Sequence, residues 1–279
     1  MSFRSVSFSA VAAGILLFAS HAAAQGIVMD KSAEAREPDA AKKPTPRTAD
    51  GHPDLSGVWH HFFMQGEYKA LKPGESATFE FSVAGPGAKD LNTRFTQPVY
   101  KPELVAKVKD LDDHQNQTDP TLRCTAPGIP RLGPPNQIVQ TSGQVVFLYT
   151  DLAGEFFRII PTNNPAHRSD LEESYNGDAV GRWDGDTLVV DTNNFVDETW
   201  MGDNGLFHSE KMRVIERLTR KGDTIKYEVT VEDPVVLAKP WVMDPRTLVL
   251  QHDILEQAPP CVDKDASHLT DLSHHGNNR

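Results

Sequence analysis

The second half of the chain is a succession of strand-length runs, each cut off by a glycine turn, and this leaves little choice of fold. Runs at 138–141, 145–150 and 155–160 are separated by Ser142-Gly143 and Ala153-Gly154. Those at 179–183 and 187–191 flank Asp184-Gly185, those at 212–219 and 224–231 flank Lys221-Gly222-Asp223, and a last run covers 247–255. Glycine supplies the positive φ that tight turns need, so each pair reads as a hairpin. With earlier runs at 58–63 and 78–83 the count is about ten short strands, without the β–α alternation of a parallel sheet. The expected fold is mainly β: a single antiparallel barrel or sandwich.

One helix is expected, at 101–112. Pro102 suits its first turn, Glu103 complements its positive end, and Leu104, Val105, Val108 and Leu111 recur at helical spacing. The prolines and glycine of 119–131 then forbid regular structure, which predicts a long, ordered Pro-rich loop pinned by Cys124.

Residues 1–24 read as a signal peptide. Arg4 gives a positive start, 11–19 an apolar centre, and Ala22-Ala23-Ala24 a cleavage site before Gln25. The apolar centre is too short for a membrane span, and no later segment is long enough, so no stable membrane insertion is expected. Residues 25–50, rich in Ala, Lys, Glu, Asp and Pro, read as a flexible tether. A single β-rich domain at 51–261 and a polar tail at 262–279 complete the chain. Export implies a periplasmic or secreted protein and permits a disulfide, for which Cys124 and Cys261 are the only candidates. The alternative is two buried free thiols. Two cysteines also exclude a Cys₄ zinc site or an iron–sulfur cluster. A net charge of −11 excludes the basic footprint of a nucleic-acid binder. The oligomeric state is not legible.

Strand alternation assigns faces. In 224–231, Ile225, Tyr227, Val229 and Val231 share the apolar face. The same rule puts Glu216 with Met212, Val214 and Leu218, Arg158 with Phe156 and Ile160, and His252 with Leu248, Leu250 and Ile254. Three ionisable residues thus face an apolar interior, where a charge is costly unless paired. Arg158 and Glu216 can pair, either as a strut that closes the fold or as the polar floor of a cavity.

His208 and Glu210 follow the turn at 202–205, His167 lies in the polar connection 163–176, and His60 and His61 follow Trp59. They lack a tight metal-ligand spacing, so no metal is expected. His268, His274 and His275 read as solvated. There is no phosphate loop, no dinucleotide fingerprint and no nucleophile elbow, and nothing implies a cofactor.

Several motifs together resemble a largely uncharacterised bacterial family of exported proteins: PDLSGVW at 53–59, CTAPGIPR at 124–131, GDAVGRWDGDTLVVDT at 177–192, His208-Ser209-Glu210 with Glu216-Arg217, and Glu232-Asp233-Pro234 with Pro240-Trp241. The resemblance covers most of 51–261, and 177–192 is its most specific part. It implies export and one β-rich domain. Gly57-Val58-Trp59 is also similar to the entry strand of lipocalin-type barrels, which implies a lipocalin-like barrel. The chain departs from a usual lipocalin in its length and in its Pro-rich section.

Two functions follow. The first is a cofactor-independent lyase, isomerase or hydrolase of a small organic molecule in a barrel cavity. His208 or His167 would be the general base, oriented by Asp178. Arg158 or Arg182 would hold a substrate anion or enolate, with Glu216 and His252 beside it. The second is a lipocalin-like protein that binds a small hydrophobic ligand without turning it over. Convergence of His208, His167, Asp178 and Arg158 or Arg182 on one pocket would favour the enzyme. A third reading, a structural module of the envelope, has no feature of its own in the sequence.

Overall fold

The computed structural model describes residues 39–61, 96–151, 153–252, 254, 255, 257 and 261. The signal segment 1–24, the tether up to residue 38, the run at 78–83 and the tail 262–279 with its three histidines lie outside the described residues.

Ten strands make one sheet: β1 (Gly57–His61), β2 (Gln137–Thr141), β3 (Gln144–Asp151), β4 (Gly154–Pro161), β5 (Asp178–Asp184), β6 (Thr187–Asn193), β7 (Arg213–Lys221), β8 (Thr224–Glu232), β9 (Trp241–Val242) and β10 (Arg246–Gln251). Their order is β4-β3-β2-β1-β10-β8-β7-β6-β5, with β9 added to β8. Every ladder is antiparallel. The sheet curls until β4 meets β5, which makes a nearly closed nine-strand barrel.

Parity excludes one way of closing the ring. An odd number of strands in strict alternation leaves the first and last running the same way, so no antiparallel ladder can finish the ring. Across that seam the Asn164 amide donates to the Gly181 carbonyl at 3.0 Å. Gly181 is small because it must be: a Cβ there would lie 3.0 Å from the Pro161 carbonyl oxygen and 3.1 Å from Ile160 Cγ2.

One end of the barrel is sealed by β1 and the β7–β8 turn. Trp59 Nε1 donates to the Leu55 carbonyl at 2.9 Å. The Arg220 guanidinium lies over the Trp59 ring at 5.1 Å and donates to the carbonyls of Gly222 and Asp54. Residues 39–50 pack here too. Asp223 N donates to Ala40 O, Gly222 N to Thr45 Oγ1, and Arg47 forks onto Asp186 at 2.6 and 2.9 Å. The packed structure therefore extends ahead of Gly51. Composition misses this because the segment is held by hydrogen bonds to hairpin turns, not by apolar burial.

The other end is covered by the helix and two loops. A 3₁₀ turn at Pro102–Leu104 runs into the helix Val105–Asp113. Leu104, Val108 and Leu111 pack on the core as the spacing predicts, whereas Val105 is exposed. The Tyr100 hydroxyl donates to the Phe207 carbonyl at 2.5 Å. Residues 127–135 are buried at every position except the half-buried Arg131, which forks onto Asp119 at 2.6 and 2.7 Å. This Pro-rich loop dips into the barrel mouth, where the Gly133 carbonyl lies 3.5 Å from the Tyr227 hydroxyl. Cys124 and Cys261 form a disulfide, with Cα atoms 5.6 Å apart, that ties the start of the loop to the chain beyond β10. Among the described residues, no helix is long and apolar enough to cross a membrane.

Candidate functional site

The inner face of the barrel is mostly apolar, with a polar cluster at mid-height and two further arginines, Arg220 and Arg246, at inward positions of β7 and β10. Alternation on β4 places Arg158 inward between Phe156 and Ile160, and on β7 it places Glu216 inward between Val214 and Leu218. The two are 4% and 0% exposed, so the charges are out of solvent. They pair at 2.7 Å, Arg158 Nη2 to Glu216 Oε2. Nη2 donates to Thr192 Oγ1 at 2.7 Å, and Nη1 to the Tyr149 hydroxyl at 3.1 Å. The Tyr227 hydroxyl donates to Glu216 Oε1 at 2.8 Å. Small inward residues on β5, Ala179 and Gly181, leave Arg158 room to reach past that strand to β6 and β7.

Burial pulls the Arg158 pKa down, but Glu216 and Tyr149 more than offset this and hold it above the ordinary arginine value. Burial raises both tyrosines, and Glu216 adds to the effect, so each stays a protonated hydroxyl. One donor is left over. Arg158 Nε is buried without a hydrogen-bond partner among the described residues, and Glu216 Oε2, although in ion-pair contact with Nη2, likewise makes no hydrogen bond there. A buried N–H without an acceptor costs free energy.

His167 and Asp178 come together, but on the other side of the wall. His167 Nδ1 lies 2.9 Å from Asp178 Oδ2, and its Nε2 3.6 Å from Asp191 Oδ1. Arg213 forks onto Asp191 at 2.5 and 2.8 Å, and this contact lowers the Asp191 pKa. Asp178 and Asp191 alternate with Ala179 and Thr192, which are the inward pair of β5 and β6. The imidazole group and the Arg158 cluster are therefore separated by the sheet. His167 Nε2 is itself buried and has no hydrogen-bond partner among the described residues.

His208 is in a third place, the cap between β6 and β7. Its Nδ1 donates to the Ser209 carbonyl at 3.1 Å, which leaves Nε2 to accept from the Thr199 hydroxyl at 2.7 Å. Phe195 packs edge-on against the ring. Burial pushes its pKa below the ordinary value, and the Ser209 carbonyl opposes this only in part. Both ring nitrogens are spent on the chain's own groups.

Two expected binding residues need correction. Arg182 is exposed, because alternation on β5 turns Ala179 and Gly181 inward and Arg182 out. His252 is exposed as well. The strand expected at 247–255 stops at Gln251, where Val58, near the start of β1, provides its last partner. The convergence that the enzyme reading requires is therefore absent: Arg158 and Glu216 are inside, His167 and Asp178 outside, and His208 in the cap. Sequence reasoning missed Tyr149, Thr192 and Thr199. The first two were available from alternation with Phe147 and Val190, whereas Thr199 lies in a loop without a period.

No group of three or more His, Cys, Asp or Glu among the described residues could hold a metal ion. In comparison with known proteins, the chain matches no family model and no curated protein.

Proposed function

We propose that this is an exported protein that binds a small, largely apolar organic molecule inside its barrel and does not transform it. The reading rests on the Arg158 cluster, a polar group in a mostly apolar wall with one buried N–H lacking an acceptor. Small-molecule sites are built this way, with apolar lining for affinity and a few polar groups for orientation. The leader at 1–24 and the disulfide support periplasmic or secreted placement.

The acid–base enzyme has less support. Its best feature is the His167–Asp178 contact, which resembles an oriented imidazole, but the ring's other nitrogen is buried on the outer wall. Native mass spectrometry of the protein recovered from its own host tests both readings. A retained organic mass that is lost in Arg158→Met is the expected result. An empty wild-type protein, or a mass retained equally by the folded variant, overturns the proposal. A product mass that appears only when His167 is intact restores the enzyme.

A further inference from the structure

The outer wall of the barrel is divided by charge. Its β5–β8 side carries ion pairs: Arg213 with Asp191 at 2.5 Å, Arg217 with Asp184 at 3.0 Å and Lys226 with Glu228 at 2.6 Å. The outward positions of β2, β3 and β4 hold one charged residue, Glu155. Two neighbouring rows on that side are apolar. Val139, Val146 and Ile159 lie side by side in one, and Leu148 and Phe157 lie beside Gln137 in the next. Val58 of β1, opposite Gln137, extends the second row. Phe157, Ile159 and Val139 are 63%, 54% and 40% exposed, so the face stands open. Apolar residues scattered singly over a surface are ordinary, whereas a contiguous apolar face marks a contact.

We infer that this face joins two copies of the chain in a weak, two-fold dimer. The inference goes beyond the ligand reading and does not depend on it. The net charge of −11 makes two copies repel, and the β2–β4 face is one on which they can approach without setting charged walls against each other. A different protein would be selected by charge complementarity, for which this face offers a single carboxylate. A second copy needs only the same apolar rows, as a self-complementary two-fold contact does. A two-fold axis lying in the face and across the strands carries Glu155 of each copy to the uncharged Thr141–Gln144 end of the other, so the two carboxylates stay apart.

The size of the face sets the strength. Four strands and four outward rows, at ordinary sheet spacing, cover roughly 500 Å² on each copy. Two such faces bury about 1,000 Å² in all, the lower bound of a specific interface. A dissociation constant on the order of 10–100 μM is expected.

Sedimentation of the mature protein over a concentration series tests this. A monomer–dimer equilibrium is expected in that range. It should tighten as salt rises from about 50 to 500 mM, because salt screens the repulsion between two acidic copies. Phe157→Lys makes the net charge less negative, which alone would favour association. It is nevertheless expected to weaken the dimer about tenfold or more, because the ammonium would be held against an apolar row. Glu228→Gln makes the same change in net charge on the charged wall and should leave the dimer nearly unchanged. A wild-type protein that stays monomeric up to about 0.5 mM overturns the inference. Hydroxyl-radical footprinting at Phe157 then tells a face covered by the chain's own residues from a bare one. A dimer that loosens with salt, or that persists unweakened in folded Phe157→Lys, also overturns it, because the contact then lies elsewhere. The salt series uses wild-type protein alone, so a failure of Phe157→Lys to fold does not remove the test.

Discussion

Arg158 on β4 and Glu216 on β7 meet at 2.7 Å although β5 and β6 lie between their strands. The pair crosses the one junction of the barrel that has no ladder, so it ties the two ends of the sheet together from inside. A buried pair repays its desolvation only while both members are present. Arg158→Met or Glu216→Met is expected to cost about 3–5 kcal/mol, because each leaves an unpaired buried charge. The double variant Arg158→Met/Glu216→Met should recover most of that loss. Urea unfolding of the four proteins in a double-mutant cycle measures it. Additive losses would show that the two side chains do not act as a pair.

The disulfide closes a loop across 137 residues and anchors the segment that dips into the barrel mouth. On the chain-entropy model such a loop is worth about 4–5 kcal/mol. Cys124→Ser/Cys261→Ser should lower the unfolding free energy on that scale while leaving the barrel strands paired. Amide exchange should rise first in 127–135, which Cys124 no longer holds. Equal acceleration throughout the barrel would show that the loop and the sheet open as one unit.

His208 makes stability depend on pH with a definite sign. Burial lowers its folded pKa below the ordinary 6.5 of the unfolded chain. The unfolded state therefore binds the proton more readily, so this contribution is fully present above pH 6.5 and is lost as the pH falls below it. A single such group gives a slope of at most about 1.4 kcal/mol per pH unit. His208→Gln should flatten the fall in unfolding free energy between neutral and mildly acid pH. An unchanged slope would assign it to other groups.

Most of the barrel was legible because its strands alternate without interruption. Ile225, Tyr227, Val229 and Val231 are buried as the period of two requires, and Arg158 and Glu216 are inward for the same reason. Arg182 was legible too, since the same alternation turns it outward between Gly181 and Trp183. His252 was not, because the end of β10 depends on where β1 runs out, a non-local fact. The position of His208 depends on Thr199 and Phe195 in an aperiodic cap, and that of His167 on which face of β5 and β6 its partners occupy. Separate elements can each be read correctly while their convergence in space is not, as the separate positions of Arg158, His167 and His208 illustrate.

The seam offers a last and more local test. Nine antiparallel strands leave β4 and β5 running in the same direction, and Gly181 sits where they approach. Its backbone does not need a glycine for conformation, because its φ is not positive. What it supplies is room, since an added Cβ would press on Pro161, Ile160 and Thr162 at 3.0, 3.1 and 3.3 Å. Gly181→Val adds more bulk than those contacts can absorb, and overpacking of this kind costs about 1–3 kcal/mol. If the seam is also what brings Arg158 to Glu216, the wider gap weakens their pair. The coupling energy of the Arg158/Glu216 cycle should then be smaller in the Gly181→Val background than in the native one. A lower unfolding free energy with unchanged coupling would mean that the strands give way locally and the ion pair holds the seam without help from the backbone.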